Sequence, residues 1–205
     1  MMYPELFPES ARYCYVRTDS SYTDLANFEE LAAEEKSLVS QAVDVRKAEF
    51  GDARWCAHRA LQELGASPAT PILRGERGMP LWPEGFVGSM THTEGMRAAV
   101  VAPTSALKSV GLDAEPAEPL PDHVLTMIAR AGEMPQLLRL REAGITCPDR
   151  LLFCAKEATY KSWFPMTFRW LDFDQAEIDL REDGTLISYI CLLYTSPSPR
   201  DQRGS

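Results

Sequence analysis

The sequence predicts a mixed α/β (α+β) chain, built as one domain or two small packed lobes, and three observations carry that expectation. Residues 25–64 contain no proline and space their apolar side chains as a helix does. Residues 150–164 repeat the helical pattern, and short β-prone runs lie between and after the two, separated by Gly- and Pro-rich turns. With 45% hydrophobic and 25% charged residues over 205 positions, the composition is that of a folded protein with a sizeable core.

Taken in order, residues 25–64 form one long helix or two consecutive ones, acidic at first (Glu29, Glu30, Glu34, Glu35) and then basic (Arg46, Lys47, Arg54, Arg59). Gly65 and Pro68 end this stretch. Residues 71–83 make a turn-rich connection containing Arg74, Gly75, Arg77 and Gly78, suited to lie against a ligand. Residues 86–89 and 96–102 read as short strands flanking Thr91-His92-Thr93-Glu94-Gly95, the second alternatively as a short helix, and residues 110–115 as a third strand. Pro116, Pro119 and Pro121 interrupt regular structure, and Gly132 and Pro135 weaken a helical stretch over 123–142, which reads as a hinge or lid. Asp149 fits the N-cap of a helix over 150–164 that Pro165 ends. Residues 176–180 and 186–193 then pair as a hairpin around Asp183-Gly184.

Charge and cysteine usage narrow the function classes. A formal net charge of -9 argues against nucleic-acid binding, which needs a basic footprint, so any anionic ligand must be captured locally. No apolar run reaches the length of a membrane span, and the start Met-Met-Tyr-Pro-Glu lacks a secretory pattern, so a cytoplasmic protein without a membrane partner is expected. The five cysteines are scattered without a Cys-x-x-Cys pair and read as reduced packing residues.

Two acidic segments carry the chemistry: Gly111-Leu112-Asp113-Ala114-Glu115 and Phe153-Cys154-Ala155-Lys156-Glu157-Ala158-Thr159-Tyr160-Lys161. In a strand, Asp113 and Glu115 point to one face roughly 7 Å apart and can share a hard cation; a solvated strand end explains them equally simply. On the later helix Glu157 and Lys161 are four residues apart, which makes a catalytic pair or an ordinary surface ion pair. Arg46, Arg54 and His58 share one broad side of the early helix, where planar guanidinium forks suit phosphate, or else form a solvated face.

Thr91-His92 and the two acidic segments, in that order and at those separations, resemble the signature of 4′-phosphopantetheinyl transferases of the larger, two-lobed kind. Arg46-Lys47-Ala48-Glu49-Phe50 followed by Arg54, and Pro71-Ile72-Leu73-Arg74-Gly75 followed by Trp82-Pro83, look like actinobacterial members, and the resemblance runs from about Ala32 to about Ile190. It implies two similar pseudo-symmetric lobes, each a small, mainly antiparallel sheet with a long helix, and a ligand site in the cleft between them. The implied lobes are residues 1–116 and 117–193, the second incomplete. Residues 194–205, rich in Ser and Pro, read as a disordered or non-native tail.

The same resemblance implies a monomeric enzyme that moves the phosphopantetheine arm of coenzyme A onto a serine of an apo acyl or peptidyl carrier protein, in secondary metabolism or siderophore biosynthesis. It implies Asp113, Glu115 and Glu157 as ligands of Mg2+, or of Mn2+, with Glu157 and Lys161 catalytic. Arg46, Arg54, Arg74, Thr91, His92, Lys156 and Lys161 would hold coenzyme A. The same carboxylates also suit a magnesium-dependent phosphohydrolase, or a coenzyme A- or carrier-binding module inactive through truncation.

Overall fold

A computed structural model describes residues 6–18, 23–67 and 70–191. The expected helix end at Pro68 and the expected tail over 194–205 lie outside these residues. The described chain is mixed α/β, with small antiparallel sheets packed on long helices.

The first half centres on a three-stranded antiparallel sheet in the order β1-β5-β4, formed by β1 (Arg12–Arg17), β4 (Phe86–Thr93) and β5 (Met96–Pro103). The 20-residue helix α3 (Asp44–Glu63) lies across it. Small residues on α3 allow close approach: Cys56, Ala57, Ala60 and Leu61 pack on Ala99, Val101 and Ile72. Central β5 is apolar on both faces because both are covered, and residues 98–102 are fully buried. A second cluster fastens α1 (Ala26–Glu29) and α2 (Ala33–Ser37) onto α3 through Phe28, Leu31, Val39 and Phe50.

The expectation of one or two helices over 25–64 is therefore corrected to three. The chain turns at 38–43 and re-enters α3 from Val43, which is extended at φ -68, ψ 158. β1, a Tyr- and Val-bearing run, was missed by sequence reasoning. Residues 96–102 are strand, not helix, and the hairpin takes in Thr91-His92-Thr93, turning tightly at Gly95 with φ 73. Within 71–83, β2 (Leu73–Arg74) and β3 (Pro80–Leu81) pair around a 3-10 turn.

The second half packs α5 (Met134–Glu142) and α6 (Pro148–Thr167) against a hairpin of β6 (Ala176–Leu180) and β7 (Leu186–Ile190). Its core is Leu137, Leu140, Leu152, Ala155, Ile178 and Leu180. The open edge of β6 is satisfied by side chains: Ile178 N donates to Glu133 at 2.7 Å, Leu180 N donates to Gln136 at 2.8 Å, and Gln136 returns a bond to Ile178 O at 2.7 Å. The helical stretch over 123–142 is split into α4 (Asp122–Ile128), a 3-10 turn and α5.

Three further expectations are corrected. Residues 110–115 form no strand; they are irregular chain, with Gly111 against Ala158 of α6. Asp149 is not the N-cap of α6, a position taken by Cys147; its carboxylate accepts Leu120 N at 2.7 Å. Pro165 does not end α6, which continues to Thr167 and stops where Phe168 turns left-handed at φ 53.

Candidate functional site

The free edge of β4 lines a cleft of about 290 Å³. Strand alternation sends its side chains two ways. Met90 packs into the core beneath α3, and His92 reaches Arg46 of α3 at 2.9 Å. Ser89 and Thr91 face the other way, toward residues 112–114: Ser89 Oγ donates to Leu112 O at 3.5 Å, Thr91 Oγ1 donates to Asp113 Oδ1 at 3.3 Å, and Ala114 N donates to Thr91 Oγ1 at 3.2 Å.

From the second half, α6 brings Glu157, Tyr160 and Lys161 to the same cleft. Lys161 does not pair with Glu157 on its own helix. Its ammonium bonds Asp113 Oδ1 at 2.7 Å and Leu112 O at 3.1 Å, with Thr91 Oγ1 and Met90 O each at 3.5 Å. This contact ties the early acidic segment, the Thr91 strand and the later helix into one cluster.

The approach of α6 to residues 110–115 depends on Gly111. A Cβ there would stand 1.8 Å from Ala158 O, so the position accepts no side chain. Ser109 Oγ donates to Ser162 O at 2.7 Å on the same side of the helix. Residues 112–114 meet β4 through the Ser89 and Thr91 side chains and not through a backbone ladder, which is why 110–115 forms no strand.

The cleft is cationic although the chain is acidic. Arg46, Arg54, Arg74, Arg77 and Lys161 line it, with Glu49 and Glu157 as its carboxylates. Glu49 pairs with Arg46 at 3.1 Å and stands 3.7 Å from Arg97. Burial pulls the Arg54 guanidinium down to about 10, Glu35 pushes back, and the neighbouring Arg74 and Arg46 add to the fall. Burial also lowers the His92 imidazole, as does the positive charge of Arg46. Arg77, left-handed at φ 50, extends from the β2–β3 turn over the Trp170 ring at 5.0 Å and joins the two halves across the cleft.

Of the residues singled out from sequence, Arg46, Arg54, Arg74, Thr91, His92, Glu157 and Lys161 line one cleft. Asp113 and Glu115 stand behind its wall: Asp113 bonds Thr91 and Lys161, and Glu115 pairs with Arg150 at 3.1 Å. Lys156 does not join them. Its ammonium is buried in the second half, paired with Glu133 at 2.8 Å and bonded to Phe173 O and Ala176 O at 2.7 and 2.8 Å, so it has no free donor for a phosphate. His58 also turns from the cleft, to Glu35 at 2.9 Å. Sequence reasoning passed over Glu49 and Tyr160; Glu49, three residues after Arg46, was the one with a spacing signal.

Among the described residues, no three His, Cys, Asp or Glu side chains form a closed metal cluster, because Asp113 and Glu115 each turn to a protein cation. The donor set nonetheless fits a hard cation. Asp113 Oδ2 is buried without a hydrogen-bond partner. Burial raises the Glu157 carboxyl, and the charges of Asp113 and Glu115 raise it further, against the opposing effect of Lys161. Carboxylates that oppose one another's ionisation, with an unsatisfied oxygen among them, are what a divalent ion relieves.

A cationic cleft at a sheet edge, with a carboxylate–lysine cluster at one end, has the chemistry that suits phosphate groups. Comparison with known families names the class. Residues 34–102 match the 4'-phosphopantetheinyl transferase N-terminal domain, and residues 109–202 match the 4'-phosphopantetheinyl transferase superfamily. The chain is 49% identical over 152 residues to 4'-phosphopantetheinyl transferase PptT of Mycobacterium tuberculosis, covering 74% of this chain and 66% of the relative. It is 47% identical over 152 residues to Npt of Nocardia iowensis (74% and 67%) and 45% identical over 171 residues to Svp of Streptomyces mobaraensis (82% and 69%). The chain belongs to the 4′-phosphopantetheinyl transferase superfamily and spans about two thirds of the length of these relatives.

Proposed function

We propose that the protein transfers the 4′-phosphopantetheine arm of coenzyme A to a serine hydroxyl of an apo acyl or peptidyl carrier protein, releasing adenosine 3′,5′-bisphosphate. The observation that carries this reading is the Lys161–Asp113 contact at 2.7 Å, which draws the separated motifs into one cluster beside the cationic cleft. Arg46, Arg54 and His92 hold the 3′-phosphate, with Arg74 as a further phosphate contact and Thr91 contacting the phosphates beside Lys161; that all of them line one cleft supports this reading. Lys156 is left out of this set because its donors are spent inside the second half.

In the reaction the serine oxygen forms a bond to the phosphorus carrying the pantetheine arm. The bond from that phosphorus to the bridging pyrophosphate oxygen breaks. Glu157 accepts the serine proton; burial and the neighbouring Asp113 carboxylate raise its carboxyl, which makes it a stronger base than an ordinary glutamate. Lys161 offers positive charge to the oxygens on which negative charge develops. Asp113, Glu115 and Glu157 would hold a divalent cation, Mg2+ or Mn2+, which when bound supplies positive charge against the pyrophosphate.

The separate cores of the two halves support a division into lobes of residues 1–116 and 117–193, with the site between them. That one chain supplies both sides of the cleft supports a monomeric enzyme; it acts in the cytoplasm, on carriers of polyketide, nonribosomal-peptide or siderophore synthesis. Among the described residues no helix is long and apolar enough to cross a membrane. Family membership favours transfer over the phosphohydrolase and binding-module readings.

Replacing Asp113 with Ala or Glu157 with Gln tests the assignment. Each is expected to lower the rate of carrier modification by about 10²-fold or more, the usual scale for a lost general base or charge-stabilising group. Undiminished modification by either variant would overturn the role given to that residue.

A further inference from the structure

We infer that Glu35, a residue outside the cleft, is a positioning residue that sets the two guanidinium groups on the arginine side of the anion site. The inference rests on the reading that this cleft holds the 3′-phosphate of coenzyme A. Glu35 lies on α2, only 1% exposed, and its side chain points to the back of α3. Buried carboxylates survive only when their charge and lone pairs are met. Here both oxygens are engaged: His58 Nε2 lies 2.9 and 3.1 Å from them, Ile72 N donates to Oε1 at 3.1 Å, and Arg54 Nε stands 3.6 Å from Oε1.

The Ile72 peptide is gripped from both sides. Glu35 accepts its N–H, and Arg54 Nε donates to its carbonyl at 3.3 Å. Two residues on, Arg74 begins the turn that lines the cleft. One carboxylate thus places Arg54 directly and Arg74 through the backbone of Ile72. Phe50 fixes the remaining freedom of Arg54, whose guanidinium stacks 3.6 Å from the ring centroid.

Arg54 needs such a counter-charge. It is buried, and Arg74 and Arg46 lie close enough to oppose its positive charge. Without Glu35, a buried guanidinium beside two like charges is driven toward solvent, away from the geometry that meets a phosphate. Glu35 holds the Nε edge from behind, outside the ligand cleft, so its negative charge orients the arginine without occupying the place of the anion. His58, the other side-chain partner, keeps the carboxylate on this side of α3.

The test is titration calorimetry of the full chain with adenosine 3′,5′-bisphosphate and with adenosine 5′-monophosphate, which lacks the 3′-phosphate. In Glu35→Gln the bisphosphate is expected to bind about tenfold more weakly and the monophosphate unchanged, so that the preference between them collapses. Glu35→Asp, which keeps the charge at a shorter reach, should recover part of that preference. A purely structural role would lower the melting temperature while leaving the preference intact, and that result overturns the inference. If Glu35→Gln does not fold, Glu35→Asp decides: a reduced preference supports the inference, and a preference equal to wild type overturns it. A wild-type protein that binds the two nucleotides alike overturns instead the 3′-phosphate reading on which the inference stands.

Discussion

Two lysines five positions apart on α6 show what a side chain's role depends on. Lys156 is 2% exposed and closes a buried ion pair with Glu133, while Lys161 crosses to Asp113 in the other half. In the sequence both stand beside Glu157 and both read as phosphate ligands. Which of them faces the cleft is set by the face of α6 that packs on β6, and a single short motif does not encode that. Glu157 lies between these environments, and its raised carboxyl has a consequence for stability. A folded carboxyl that keeps its proton where the unfolded one has lost it makes ionisation oppose folding, so stability falls as pH rises above the ordinary glutamate value of 4.5. Thermal melts across pH 4 to 7 should therefore show Glu157→Gln gaining on wild type as pH rises, even as it loses activity; parallel curves would contradict the shift.

At the scale of elements, the helices and hairpins were legible where apolar periodicity was long or a turn residue was explicit. The Asp183-Gly184 turn is an instance: Gly184 sits at φ 84, and Asp183 accepts Thr185 N at 2.9 Å. Residues 110–115 were not legible, because a strand needs a backbone ladder and these residues meet β4 through the Ser89 and Thr91 side chains. Of the two carboxylates that alternation put on one face, Asp113 reaches Lys161 and Glu115 leaves for Arg150. Gly111 is the hinge of this arrangement. Gly111→Ala should destabilise the fold by about 3 kcal/mol, as overpacking against rigid backbone does, measured by urea unfolding. A loss well under 1 kcal/mol would show that α6 and the acidic segment are free to separate.

At the scale of the described molecule, the cleft is lined from both halves of the chain, by residues between 46 and 92 and by residues between 157 and 165. The acidic balance of -9 and the cationic cleft are consistent with each other: the positive charge is gathered locally in Arg46, Arg54, Arg74, Arg77 and Lys161 and not spread over a basic surface. The site was legible in the sequence as ordered motifs, because Arg46, His92, Glu157 and Lys161 are brought to one place by elements whose order along the chain is fixed. What the motifs did not reveal was the support behind the site: Glu35 lies outside them, and the roles of Glu49 and Gly111 within them exist only once α3 and α6 are packed.

The central claim, that this cleft transfers a phosphopantetheine arm, is tested most directly by mass. The protein is incubated with coenzyme A, magnesium and an apo carrier protein, and the carrier is then weighed by mass spectrometry. The account predicts a gain of one phosphopantetheine arm on the carrier, dependent on the carrier serine and abolished in Glu157→Gln. An unchanged carrier mass under these conditions would contradict it.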